Sequence, residues 1–333
     1  MRRWMWLAGF LAVLTVFSEA AGAQDRLPVV ATFSILGDLA QRIGGEHVEV
    51  LTLVGPDGDA HVFQPGPRES TTLAKAAVLV ANGLDFEPWL HRLEESSGFQ
   101  GKVIEASAGV APLATEAEDH EHHDDEAHDE HADEEHAHGE HAHAEEAHEG
   151  EEGHDHDHGP VDPHAFQDLA NAQIYAANIA QGLSEAAPAH AADFTANADA
   201  LIAEMAALDE ELKSAFAAIP KERRRVLTSH DAFHYFGRAY GIEFASVQGV
   251  STEAEASAED LAKIVRQARD GHVTAIFLEN MTDPRLAETV AQESGVKMGG
   301  ALYADALSES TGPAPDYLSL VRHNAKQLLA AMQ

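Results

Sequence analysis

The sequence predicts an α/β protein of two lobes, each built on a parallel sheet, joined by a long rigid α-helix. Three observations carry that prediction. Short β-rich runs alternate with helical patterns between residues 28 and 105; the same alternation resumes between residues 225 and 293; and an apolar stripe long enough for a connecting helix lies between them. Alternation at this spacing implies strands paired in parallel through crossover helices.

Taken in order, residues 1–23 read as an export signal: Arg2 and Arg3, an apolar run from Trp4 to Phe17, and Ala21-Gly22-Ala23 as a small-x-small cleavage site. The apolar part is shorter than the roughly 20 residues a spanning helix needs. The first lobe is expected over residues 24–165, with strands at Val29 to Phe33, Val48 to Val54, Ala77 to Ala81 and Lys102 to Glu105. Helices are expected at Ile35 to Ile43, Thr71 to Lys75 and Asp85 to Glu95. Periodicity then disappears over residues 116–159, where dense like charge and few apolar side chains predict a disordered loop. From a cap at Asp168, the residues Leu169, Ala172, Ala176, Ile179 and Leu183 form one buried stripe at helical spacing. About 20 helical residues span roughly 30 Å, the width of a small domain, so residues 166–187 are assigned as the linking helix. The second lobe is expected over residues 188–333, opening with an Ala-rich helix from Ala189 to Ala218. Strands follow at Arg225 to Thr228, Glu243 to Val247 and Thr274 to Leu278, with helices at Ala232 to Tyr240, Ala258 to Ala268 and Pro284 to Glu293 and a closing helix from Asp316 to Met332.

Charge narrows the function classes. The formal net charge is -36, and 20 Asp and Glu with no Lys or Arg fall between Glu116 and His158. That sign disfavours nucleic acid and anionic membrane surfaces as partners. The chain has no cysteine, which excludes disulfides, thiolate ligands, a Cys nucleophile and a lipid on an N-terminal cysteine. An exported, disulfide-free chain without a membrane anchor is expected in the periplasm of a Gram-negative bacterium.

Histidine marks the chemistry. Of 22 histidines, 13 lie between His120 and His158. The i, i+2 pairs His136/His138, His141/His143 and His154/His156/His158 suit Zn, Ni or Cu in an extended chain. Closing a flexible ligand set around an ion costs entropy, so this segment is read as an auxiliary, low-affinity collector. Two of the other nine share a local pattern, Asp59-Ala60-His61-Val62-Phe63-Gln64 and Asp162-Pro163-His164-Ala165-Phe166-Gln167, with four of six positions identical. His230 follows a strand in Thr228-Ser229-His230-Asp231, and Asp305 follows a weak apolar stretch in Leu302-Tyr303-Ala304-Asp305. All four sit where open α/β sheets bind ligands, in loops beyond the carboxyl ends of strands. Three imidazoles and a carboxylate suit a divalent transition metal, and zinc takes such a set tetrahedrally. Glu279, ending the strand from Thr274, is a rival carboxylate, and His234, one turn beyond His230, reads as a core histidine or one that backs a ligand. His47, His91, His190, His272 and His323 read as surface residues.

At these residues the chain resembles the periplasmic zinc-binding components of bacterial ABC importers, the cluster A-I family with zinc and manganese branches. The resemblance runs from Leu27 to Gln333 and rests on six segments in order. They are the Asp-x-His at His61, Asp162-Pro163-His164, Ser229-His230-Asp231-Ala232-Phe233, Gly249 to Ser257, Ile276-Phe277-Leu278-Glu279 and Tyr303 to Ser308. It implies two α/β lobes joined by a long rigid helix, with metal held in the cleft by His61, His164, His230 and Asp305. The manganese branch typically carries Glu at the third position, so His230 and the His-rich segment imply the zinc branch. Ala60 stands where Pro often precedes the first His, and Asp305-Ala306-Leu307-Ser308 departs from a common Asp-Pro-Leu-Gly form.

The function expected from this resemblance is high-affinity capture of Zn(II) in the periplasm and its delivery to an ABC permease with its ATPase, with a periplasmic metallochaperone as a further candidate partner. A monomer is expected. The alternatives are a zinc buffer or adhesin without transport, and a zinc hydrolase using the three histidines with Glu279 as base. Four protein ligands leave no position for an activated water, and no His-Glu-x-x-His helix is present, so no enzymatic activity is expected.

Overall fold

Central strands are continuous runs of buried aliphatic residues, and this sets the architecture. In a computed structural model of the chain, which describes residues 26–114, 161–249, 252 and 257–333, β1 (Leu27–Phe33) buries five successive residues from Val29. It leads into α1 (Ser34–Gly44), then β2 (Val48–Val54), α2 (Pro67–Leu73), β3 (Val78–Ala81), α3 (Leu90–Ser97) and β4 (Lys102–Glu105). The four strands form a sheet in the order β2-β1-β3-β4, parallel throughout. β3 is buried along its whole length, as a strand covered by helices on both faces must be. A two-residue antiparallel ladder, β5 (Leu113–Ala114) with β6 (Val161–Asp162), brings the chain back beside this sheet. The export signal and the His-rich segment, including His136, His138, His141, His143, His154, His156 and His158, lie outside the described residues.

The helix α4 (Leu169–Ala186) begins where the Asp168 carboxylate accepts a bond from Ala170 N at 2.9 Å. The expected stripe of Leu169, Ala172, Ala176, Ile179 and Leu183 is fully buried. It packs on α1, β3 and β4 of the first lobe and on the next helix, α5 (Ala191–Ala217). With 27 residues α5 is the longest described helix, and it touches α1 on one side and α6 and α9 on the other. α5 therefore lies against both lobes, and the segment expected as the linking helix over residues 166–187 meets the second lobe at its start, through Phe166 and Gln167.

The second sheet repeats the plan of the first. After β7 (Arg225–Thr228) come α6 (His234–Tyr240), β8 (Glu243–Ser246), α7 (Ala258–Asp270), β9 (Ala275–Glu279), α8 (Pro284–Ser294), β10 (Met298–Leu302) and α9 (Tyr317–Met332). The order β10-β9-β7-β8, again all parallel, matches the first sheet strand for strand. Each sheet therefore reverses direction of winding between its first and third strands, which opens a crevice at the carboxyl ends of those strands. The two crevices face each other. One core runs through both lobes, from Val29, Leu36 and Val80 to Phe233, Tyr317 and Leu328.

The lobes are stitched directly. Tyr317 Oη donates to Phe166 O at 2.5 Å, Gln167 Nε2 to Ala304 O at 2.6 Å, Leu307 N to Ser34 Oγ at 2.9 Å and Tyr235 Oη to Asp162 O at 3.0 Å. Asp57 N donates to Leu307 O at 2.9 Å, and Tyr317 N to Asp38 Oδ2 at 2.9 Å. Burial pushes the Asp38 carboxyl up to about 6, against the pull of that Tyr317 bond.

Candidate metal centre

The Asp-x-His pattern is a local device that aims an imidazole. In both copies the aspartate accepts a hydrogen bond from the backbone N of the histidine two residues on, Asp59 Oδ1 from His61 and Asp162 Oδ1 from His164, each at 2.9 Å. This closes an Asx-type turn. The copies then diverge. Asp162 Oδ1 also accepts from His164 Nδ1 at 2.7 Å, whereas the other oxygen of Asp59 accepts from the Thr252 hydroxyl at 2.7 Å, across the cleft. Trp89 Nε1 donates to Ala60 O at 2.7 Å and holds the His61 turn onto α3.

His230 is held by the neighbouring strand of its own sheet. β7 delivers it and β9, adjacent and parallel, ends at Glu279. The Glu279 carboxylate accepts from His230 N at 2.9 Å and closely from His230 Nδ1. The rival carboxylate thus lies behind the imidazole, away from the centre. Asp305, beyond β10, is fully buried at the middle of the group.

The tautomers follow from these bonds. With Nδ1 of His164 and of His230 donating to carboxylates, each neutral ring presents its Nε2 lone pair inward. His61 Nε2 lies 3.2 Å from His164 Nε2 and 3.3 Å from Asp305 Oδ2. His230 Nε2 lies 3.0 Å from Asp305 Oδ2, and His164 Nε2 lies 3.5 Å from Asp305 Oδ1. A tetrahedron with ligands about 2.0 Å from its centre has edges of about 3.3 Å. One atom from each of the four lies within 4.8 Å of the others, and all four residues are buried, His61 at 4% and the rest at 0% exposure. Asp305 Oδ1 is buried without a hydrogen-bond partner, a cost that a cation at the centre removes. The donor set thus fits a divalent transition metal.

Electrostatics point the same way. Burial alone would lower the His164 imidazole and raise the Asp305 carboxyl, yet their mutual attraction prevails over both. His164, with Asp305 and Asp162 beside it, is pushed up to about 9. Asp305, facing His164 and His230, is held well below the usual carboxylate range. Burial raises Asp162, but hydrogen bonds from His164 and His234 hold it below that range too. His230 is raised well above an ordinary imidazole against the effect of its burial, by Glu279 and Asp305. His234 stays outside the group, with Nε2 3.0 Å from Asp231 and Nδ1 3.5 Å from Asp162 Oδ2.

Several residues around the centre carried no signal in the sequence. Asn82, just beyond β3, donates to Pro163 O at 3.0 Å and accepts from Tyr175 Oη at 2.9 Å. The turn Gly83-Leu84-Asp85 is left-handed at all three residues, with φ of 83°, 55° and 58°. Each non-glycine residue there costs roughly 1–2 kcal/mol. It delivers Phe86 onto the edges of His61 and His164, with ring centroids 4.7 and 5.8 Å away. Beneath them Glu87 is buried and pushed up to about 7, although Thr32 Oγ1 at 2.5 Å and Asn82 N at 2.9 Å donate to it. Asp162 did have a signal, its position in the repeated pattern.

Comparison with known proteins places the chain in a family. Residues 29–331 match the sequence profile of the ZnuA family, described as zinc-uptake complex component A, periplasmic. The iron-binding protein YfeA of Yersinia pestis is 28% identical over 318 residues, covering 93% of this chain and 90% of its own. The manganese-binding lipoprotein MntA of Halalkalibacterium halodurans is 26% identical over 330 residues, covering 97% and 96%. Among solved structures, the periplasmic zinc-binding protein TroA of Treponema pallidum shares the fold with a TM-score of 0.77 at 24% identity, over 92% of this chain and 99% of that one. A match over nearly the whole length, on a chain whose four buried donors converge between two lobes, makes this protein a member of the ZnuA family, the periplasmic metal-binding components of ABC metal transporters.

Proposed function

We propose that the chain captures Zn(II) in the periplasm through His61, His164, His230 and Asp305 and delivers it to an ABC permease for uptake. The ion is cargo. The observation that carries the reading is the donor chemistry: among the His, Asp and Glu side chains of the described residues, three imidazole nitrogens and one carboxylate converge. Imidazole favours zinc, whereas manganese favours oxygen-rich sets. Four protein donors leave no place for an activated water, which suits a carrier rather than a hydrolase. The segment over residues 116–159 is assigned an auxiliary collecting role on its composition alone.

A second reading, manganese as cargo, has one observation in its favour: both oxygens of Asp305 face imidazoles, so a bidentate carboxylate would supply a fifth donor. Competition titration of the full chain with zinc and manganese separates the two. The expected result is one tightly held zinc, preferred over manganese by at least a hundredfold, and lost in His164→Ala. Tight binding retained in His164→Ala sinks the ligand assignment, and a preference for manganese sinks the choice of cargo.

A further inference from the structure

We propose that His47, His190 and Asp193 form a second, peripheral site for a divalent ion of the imidazole-binding class, at the far end of α4 from the cleft. The two histidines, read from the sequence as surface residues, are half-buried and stacked, with ring centroids 3.9 Å apart and planes 15° from parallel. His47 Nε2 lies 2.9 Å from Asp193 Oδ2. One donor atom from each of the three lies within 4.8 Å of the others. Two nitrogens and a carboxylate oxygen on one face leave the remaining coordination positions to water, as a half-open zinc, nickel or copper site requires.

The surroundings hold the donors in place. Phe194, fully buried, sets its ring edgewise to both imidazoles, with centroids 5.9 Å from His47 and 6.2 Å from His190. Asn197 Nδ2 donates to Ile43 O at 3.0 Å, tying the start of α5 to the end of α1. Gly45, at φ 57°, turns the chain between that helix end and His47. Two effects set the strength of the site. The rings lie too nearly parallel to share an ion in both planes, so one of them turns edge-on when the ion binds, and that rearrangement costs affinity. The positive end of the α5 dipole also opposes a cation, and the Asp193 carboxylate in the first turn of α5 offsets it. Affinity is therefore lower than that of the buried cleft, where all four donors already converge.

Position separates the two sites. α4 starts beside His164 and ends at Ala186, and its 18 residues span about 27 Å. An ion at the far end would clamp the turn before β2 to the turn before α5, the helix that touches both lobes.

The test is residue-resolved labelling of the full chain with diethyl pyrocarbonate, read by mass spectrometry, as zinc chloride alone is added beyond one equivalent. Zinc is expected to protect His47 and His190 together, and Asp193→Asn to raise the zinc concentration for half-protection at least tenfold. His91, exposed and 3.7 Å from Glu95 in the next turn, is the internal reference and should stay reactive. Protection is expected to persist in His164→Ala, so failure of the cleft assignment and failure of this one read out separately. Labelling of His47 and His190 that ignores zinc, that follows His91, or that titrates identically in Asp193→Asn overturns the proposal.

Discussion

The Nδ1 atoms of His164 and His230 do more to define the centre than their burial does. Each is fixed by a carboxylate, Asp162 or Glu279, that never reaches the middle of the group. Removing such a partner frees the ring to turn and change tautomer, which typically costs 10- to 100-fold in metal affinity. Asp162→Asn is therefore expected to weaken zinc binding by about that factor while leaving the circular dichroism spectrum unchanged; an unaltered affinity would show that packing alone orients His164. Protons compete for the same nitrogens. Because the His164 imidazole is pushed up to about 9, the cargo-free protein holds a proton there at neutral pH, and capture must expel it. Affinity then falls as pH drops below 9, by about tenfold per unit for each proton released. Calorimetry in buffers of different ionisation enthalpy should record at least one proton per zinc, and a heat independent of buffer would contradict this. His61 and His164 were legible in the sequence because an Asp-x-His turn is local, and His230 and Asp305 because each follows an apolar stretch at a strand end. Asn82, Phe86 and Glu87 were not, since they reach the centre only after β3 has paired with β1 and β4, and a lone Asn or Phe at a strand end has no periodicity to betray it.

At the level of elements, α4 ties the centre to the scaffold. Its first turn is capped by Asp168, two residues after Phe166, whose ring packs 6.1 Å from the His164 ring. Asp168→Ala removes the cap and is expected to cost about 1 kcal/mol of stability, read as a lower urea midpoint at unchanged slope. The strands and helices were mostly legible because their periods differ, 2 against 3.6. Their ends were less so. A helix was expected from Asp85, but α3 begins at Leu90 because residues 83–85 are left-handed and Pro88 follows them. α2 begins at Pro67, ahead of the expected Thr71, since the Glu69 carboxylate accepts from Gly66 N at 2.8 Å and caps its start. The β5–β6 ladder has only two residues on each side, too few to form a pattern.

Across the whole molecule, two sheets of identical strand order face one another, and the bonds between them are numerous and buried. Tyr317 to Phe166, Gln167 to Ala304 and Leu307 to Ser34 all cross the seam, with α5 lying against both sides. Opening such a seam would give up these hydrogen bonds, at roughly 0.5–1.5 kcal/mol net each, together with the burial around them, so release of cargo is expected through local loop movement. The contact from Thr252 to Asp59 is the natural place for it. Small-angle scattering of the zinc-free and zinc-loaded protein should give radii of gyration equal within error, and a marked compaction on loading would point to a hinge instead. The placement of the four donors on separate loops, none within a sheet, carries a different kind of consequence. Each loop can mutate while the strands beneath it keep their register, so a lineage can exchange one donor at a time without first losing a folded protein. Preference for a cargo is then among the quickest properties of this architecture to drift, and the scaffold among the slowest.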